Sequence, residues 1–196
     1  MSYLENLYGL TGQTAIVAGG AGVIGTVMAD ALLDAGANVV IWSRSQASVD
    51  QALEALGTEA ERTQRLQGRQ VDTGDEKQVD QALEAACRQF ANPDILINAV
   101  GGNLGKSPFV EIDPDRFEEV LRLNLVAGLV IPTKVAAAYW IAEGIAGTII
   151  NLTSMTSYNP LSGVWGYDAA KAGVLNLTQA TANAFACHGI RVNAIA

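Results

Sequence analysis

Tyr167 and Lys171 stand four positions apart. On a helix that spacing puts both side chains on one face, a turn apart. A tyrosine hydroxyl with its ordinary pKa of about 10 is a poor proton carrier at neutral pH. A lysine ammonium held beside it favours the phenolate and lowers that pKa. The pair can then pass a proton to or from a substrate oxygen. Ser154 precedes Tyr167 by thirteen residues, just past the apolar run Thr148–Leu152, and its hydroxyl can hold the same oxygen. A second constellation lies far upstream: Ala18-Gly19-Gly20-Ala21-Gly22-Val23-Ile24-Gly25. Glycines permit left-handed dihedrals there and let backbone approach a pyrophosphate closely. A helix N-terminus after such a turn offers free N–H groups and a partial positive charge. Taken singly, each feature has a plain structural reading: an amphipathic tyrosine, a solvated lysine, a tight turn. Their order along one chain favours chemistry.

Positioning those groups requires a particular succession of elements. Apolar, β-rich runs at Thr14–Ala18, Asn38–Trp42, Asp94–Ala99, Gly147–Leu152 and Ile190–Ala196 read as strands, with a weaker one at Leu66–Asp72. Helical spacing fills the intervals: Val23–Ala35, Ser48–Leu56, Lys77–Phe90, a segment capped by Asp113 with Pro114 at its first position, and Tyr167–Ala186. The fourth of these contains Asn124, Gly128 and Pro132, and a bend caused by the proline is expected. Strands apolar on both faces, alternating with helices, predict an α/β fold with a doubly wound parallel sheet, the Rossmann arrangement. Residues 1–196 read as one dinucleotide-binding domain, without repeats or linkers. In such a sheet the ligand crevice lies beyond the carboxyl ends of the strands, where Ser154 falls.

Composition narrows the function classes. The 196 residues carry 12 basic and 20 acidic side chains, a net charge of −8, which argues against a nucleic-acid partner. Apolar residues make up 49% and charged residues 16%, against a usual charged share of about 25%, so disorder is excluded. The low charge also suggests surface buried by a partner subunit. Cys87 and Cys187 build no disulfide framework. The stretch 125–150 is interrupted by Pro132, Lys134 and Glu143, so no membrane span is expected. Met1–Leu10 lacks the features of a secretory signal, and a cytoplasmic location is expected. His188, the single histidine, sits near a helix C-terminus, and no metal site is expected. Trp140 reads as a helix-packing or subunit-interface residue.

The chain resembles the short-chain dehydrogenase/reductase family from about Leu10 to Ala196. The landmarks occur in order: AGGAGVIG at 18–25, VD at 71–72, INAVGG at 97–102, LNL at 123–125, NLTS at 151–154, YDAAK at 167–171 and RVNAIA at 191–196. The resemblance implies an NAD(P)-dependent enzyme moving a hydride between nicotinamide and a ketone or secondary alcohol. It implies catalytic roles for Asn124 (a backbone carbonyl holding a relay water), Ser154, Tyr167 and Lys171. It also implies cofactor contacts from Gly19, Gly22, Ile24, Gly25, Ser43, Arg44, Asp72, Asn98, Tyr167 and Lys171, with Asp72 at the adenine and Asn98 stiffening the central sheet. A homodimer or homotetramer is implied, pairing through helices around 115–142 and 165–188.

Several positions depart from the family pattern. Ala18 replaces its threonine, Val23 holds the middle glycine position, and Gly22 stands one place early. Asp168 occupies a place where a small residue is usual, either facing solvent or perturbing the Tyr–Lys pair. Ser43 and Arg44 stand where an NAD enzyme carries an acid, which leans towards NADP. The segments Gly101-Gly102-Asn103 and 154–173 look most like sugar-acid oxidoreductases acting on mannonate or fructuronate, with Asn103, Asn159 and Trp165 as candidate pocket walls. Alternatives are a 3-oxoacyl-carrier-protein or other keto/polyol reductase, or a catalytically silent nucleotide-binding subunit. Relatives continue past RVNAIA with a substrate-covering segment and a last strand, so the chain is expected to be a fragment truncated before them, or a protein without that lid.

Overall fold

A computed structural model describes residues 7–196. The strands are β1 (Thr14–Ala18), β2 (Asn38–Ser43), β3 (Leu66–Gln70), β4 (Ile95–Asn98), β5 (Thr148–Leu152) and β6 (Arg191–Ile195). All pairings are parallel, and the order is β3-β2-β1-β4-β5-β6. The helices are α1 (Val23–Asp34), α2 (Gln46–Leu56), α3 (Ala60–Arg65), α4 (Glu76–Phe90), α5 (Pro114–Leu121), α6 (Ile131–Glu143) and α7 (Trp165–Phe185). This is the expected Rossmann-like, doubly wound α/β fold.

Strand periodicity sorts the core onto two faces. Ile16, Val40, Leu96 and Ile149 pack with Ala82 and Leu83 of α4 and Ala136 and Trp140 of α6. Ala15, Val17, Val39 and Ile97 pack with Ala29 and Leu33 of α1 and Ala52 and Leu56 of α2. The central strands are therefore apolar on both sides, as predicted. β3 and β6 differ: Arg69, Gln70, Arg191 and Asn193 are exposed, as befits the two edges of the sheet. Trp140 belongs to the core, 1% exposed, with its indole N–H donating to the Pro93 carbonyl at 2.6 Å. That placement excludes it from a subunit interface.

Around Asn124 the helix departs from α geometry. Between α5 and α6, Arg122–Val130 winds as a π-helix, and Ile131 N–H reaches back five residues to the Val126 carbonyl. Asn124 explains the loosening. Its Nδ2 donates to the Val120 carbonyl at 2.9 Å, which in an α-helix would receive the Asn124 backbone N–H. Pro132 lies in the first turn of α6, which continues the π-helical turn without a break in helical dihedrals. Gly128 lets this segment pack closely, since a Cβ there would come 2.7 Å from the Val100 carbonyl oxygen.

The run 114–143 is also long and apolar enough to cross a membrane by length and composition alone, contrary to expectation. Of its most apolar window, 44% is buried inside the protein, where Ala127, Leu129 and Ala136 meet the core. Helix α3 was not legible as a helix. Arg62 fastens it to Asp30 and Asp34, and Arg65 donates to the Leu33 and Ala37 carbonyls at 2.9 and 2.8 Å.

Candidate active site

Backbone shapes the first part of the site. Gly19 has φ +81°, and a Cβ on it would lie 2.8 Å from the backbone of Ala99 at the end of β4. A Cβ on Gly25 would collide with the Gly19 carbonyl oxygen. These two glycines fix the turn. Gly22 has φ −84° and serves as the N-cap of α1, with no side chain on the first-turn N–H groups. Its N–H donates to the Gly19 carbonyl at 3.0 Å, which closes the turn. Val23 opens the helix with its side chain 87% exposed, and Ile24 beside it is also exposed. An uncapped helix N-terminus with free N–H groups fits a pyrophosphate.

From this turn a cleft of about 340 Å³ runs along the strand ends, lined by Gly19, Gly22, Ser43, Arg44, Thr73 and Val100 among others. No carboxylate lines it among the described residues. Asp72 stands next door, in a cleft of about 170 Å³ that it shares with Arg44 and Arg122. One Asp72 oxygen accepts the Gly74 N–H at 2.9 Å. The dimensions and donors of these clefts fit the adenosine half of a dinucleotide.

Side chains build the second part. Ser154 follows β5, and its Oγ accepts the Thr156 N–H at 3.2 Å. Tyr167 is in the first turn of α7 and is half-buried. Lys171, one turn on, is 5% exposed, with Nζ 5.7 Å from the Tyr167 ring centroid and 2.7 Å from the Leu152 carbonyl it donates to. Burial pushes the Lys171 pKa down to about 8. The Asn124 amide brackets Gly102, accepting its N–H at 2.9 Å and donating to its carbonyl at 2.7 Å. A Cβ on Gly101 would meet Asn124 Oδ1 at 2.6 Å and Lys171 Nζ at 3.3 Å, so all three residues surround one point. The fold thus brings together Asn124, Tyr167 and Lys171 from distant parts of the chain, with Ser154 on the loop that enters α7.

A buried polar chain supports this half. Asn98 Nδ2 donates to Asn151 Oδ1 at 2.8 Å and to Thr133 Oγ1 at 3.0 Å. Asn151 Nδ2 donates to Thr178 Oγ1 at 2.9 Å. The chain ties α6, β4, β5 and α7 into one unit. Asn98 acts here through the sheet and lines neither nucleotide cleft. Thr133 and Thr178 were missed in the sequence, where nothing nearby marks them, and Asn151 stood out only as part of the NLTS landmark.

Asp168 does not take the solvent-facing course. It is 8% exposed, so it does not face solvent, and its Oδ2 accepts the Leu161 N–H at 2.9 Å. Of the candidate pocket walls, Asn103 and Trp165 line a cleft of about 250 Å³ beside the start of α7, while Asn159 does not. Trp165 also packs edge-on against Phe109 at 5.2 Å and donates to the Ser107 carbonyl. Cys187 is exposed rather than packed, and both cysteines are free. No cluster of metal-ligating side chains occurs among the described residues.

A doubly wound sheet with a phosphate-type turn and a Tyr–Lys helix defines a class of nucleotide-dependent oxidoreductase folds. Residues 13–196 match the family model described as short chain dehydrogenase, and the chain belongs to that family. Among curated relatives, the 3alpha-hydroxysteroid dehydrogenase of Mediterraneibacter gnavus is 36% identical over 188 residues, covering 95% of this chain and 73% of that protein. The 3beta-hydroxysteroid dehydrogenase 2 of Eggerthella lenta is 33% identical over 187 residues, covering 95% and 70%. A solved short chain dehydrogenase from Bacillus anthracis superposes with a TM-score of 0.87 at 30% identity, covering 94% of this chain and 75% of that one. The protein is a short-chain dehydrogenase/reductase acting on CH–OH groups with a nicotinamide cofactor. These two hydroxysteroid enzymes lend no support to the narrower resemblance to sugar-acid oxidoreductases.

Proposed function

We propose that Tyr167, Lys171, Ser154 and Asn124 carry a reversible oxidation of a secondary alcohol to a ketone. When bound, the nicotinamide supplies or accepts the hydride. Tyr167 Oη passes the proton to or from the substrate oxygen, and Ser154 Oγ holds that oxygen by a hydrogen bond. Lys171, charged near neutral pH, stands with Nζ 5.7 Å from the centre of the Tyr167 ring and would hold the ribose of the cofactor. Asn124 fixes Gly102, which borders the same point. The observation that carries this reading is the buried ammonium: Lys171 Nζ is 5% exposed, with a single backbone acceptor beside Tyr167. An isolated buried ammonium is costly, and its retention is explained by a use.

The cofactor reading is NADP(H). Ser43, Arg44, Ser45 and Ser48 line the cleft at the end of β2, with no carboxylate among the described lining residues. A guanidinium and hydroxyls suit a 2′-phosphate. The substrate reading is a sugar acid such as fructuronate or mannonate, supported by Asn103 and Lys106 in the cleft beside α7. A second reading is an apolar cyclic alcohol, favoured by Leu104, Ile112, Phe117 and Trp165 in the same cleft and by the hydroxysteroid relatives. A single domain and homodimer or homotetramer formation belong to the same proposal, with exposed Val130 and Ile141 as pairing surface. So does a cytoplasmic setting, consistent with two free cysteines.

The test is nicotinamide absorbance with fructuronate, a 3-oxosteroid and cyclohexanone, in wild type and Tyr167→Phe. Turnover abolished by the substitution supports the mechanism. Turnover unchanged by it refutes the mechanism, and no turnover with any ketone favours the silent nucleotide-binding subunit.

A further inference from the structure

We propose that Asp168 is a positioning residue that holds the loop between Ser154 and Tyr167 in place through the Leu161 N–H. The inference rests on the catalytic reading above, and it adds a residue to which that reading gives no part.

The loop 158–162 has little else to order it. All five of its residues are exposed, Tyr158 by 64% and Leu161 by 53%. Packing therefore does not determine its path. Its two ends are tied. Asn159 N–H donates to the Met155 carbonyl at 2.9 Å, and the Gly163 carbonyl accepts the Ser107 N–H at 3.1 Å. Between those ties, the bond from Leu161 N–H to Asp168 Oδ2 is the one that joins the middle of the loop to the catalytic helix.

Burying a carboxylate is unfavourable unless specific partners replace its water. Asp168 is 8% exposed, and its other oxygen has no hydrogen-bond partner. The first turn of α7 favours a negative charge, and α7 has no side-chain N-cap. That dipole would stabilise an exposed carboxylate equally well, so it does not explain why this one points inward to Leu161. The loop joins the segment after Ser154 to the start of α7, which carries Tyr167, so its path bears on how the two hydroxyls are placed relative to each other. Asp168 touches neither substrate nor reacting atoms.

The test combines amide hydrogen exchange over residues 158–163 with initial rates for NADPH and cyclohexanone. In wild type, the Leu161 amide exchanges more slowly than that of Ser162, since the Tyr158 and Asn159 amides are themselves held by the Met155 carbonyl. Asp168→Ala removes that protection, raises KM for the ketone about tenfold and lowers kcat less than threefold. Asp168→Asn keeps an oxygen acceptor and restores both protection and KM. Leu161 exchanging as fast as Ser162 in wild type overturns the proposal, whatever the variants do. Unchanged exchange in Asp168→Ala overturns it, as does Asp168→Asn behaving like Asp168→Ala. Exchange is read without turnover, so a failure of the oxidoreductase reading remains distinguishable.

Discussion

The two halves of the sheet make their sites by different means. In the half built on β1 and β2, the phosphate-type turn is a backbone object. Gly19 and Gly25 are required because no Cβ fits, while Val23 projects into solvent. In the half built on β4 and β5, side chains do the positioning: Asn98 to Asn151, Asn151 to Thr178, Asn124 to Gly102, Lys171 to Leu152. A backbone site tolerates any side chain pointing outward but no added atom pointing inward. A side-chain site tolerates conservative shape changes but no lost hydrogen-bond partner. The departures from the family pattern follow this division. Val23 is accommodated because it points away, and Asp168 because it finds an N–H.

The contrast can be broken at several points. The largest effect is expected at Tyr167→Phe, which keeps the ring and removes the proton carrier. Its kcat falls by about 10²–10⁴-fold while cofactor binding, followed by calorimetry, stays as in wild type. Gly25→Ala should do the reverse. Nucleotide binding is lost, and urea unfolding shows a destabilisation of roughly 1–3 kcal/mol from the clash with the Gly19 carbonyl. Asn151→Ala takes away the acceptor of one Asn98 N–H and the donor to Thr178, whose hydroxyl keeps the Val174 carbonyl, so a loss of about 1–3 kcal/mol is expected, with nucleotide binding retained.

Titration of Lys171 gives a pH signature confined to the side-chain half. With its pKa lowered to about 8 by burial, the ammonium is lost as pH rises past that value, and kcat declines on the alkaline side. Stability moves the other way. Between about pH 8 and 10.5 the unfolded chain binds the lysine proton and the folded one does not. The stability of wild type relative to Lys171→Met should therefore rise across that window, as measured by denaturant midpoints. The smallest effect is expected at Arg44→Ala, where the KM for NADPH rises about tenfold and that for NADH changes little. Equal changes would show that Arg44 contacts the shared adenosine and not a 2′-phosphate.

Much of this site was legible because its signals are local. The Gly19–Gly25 turn, the Asp113 cap with Pro114, the Tyr167–Lys171 spacing and the alternation of strands and helices are properties of neighbouring residues. The Asp113 carboxylate indeed accepts the N–H groups of Asp115 and Arg116. Helix α3 was not legible, because six polar-rich residues become a helix through Arg62 and Arg65 reaching α1. The π-helical turn was not legible, because the Asn124 side chain folds back to a carbonyl of its own helix that no sequence pattern singles out.

The sequence alone determined the fold class, the strand count and the residue types able to move a proton, since periodicity and short spacings act within a few turns of chain. Tertiary structure decided which groups meet. Lys171 is buried near Asn124 and Gly101, and Asn98 finds Asn151 across the sheet, only after β4, β5 and α7 have packed. Those contacts join positions 47 to 70 residues apart, and nothing in local pattern constrains so distant a pair. Asp168 belongs to both accounts. Its identity was visible beside Tyr167, and its partner was not, because a carboxylate's direction is set by what the fold leaves for it to bind.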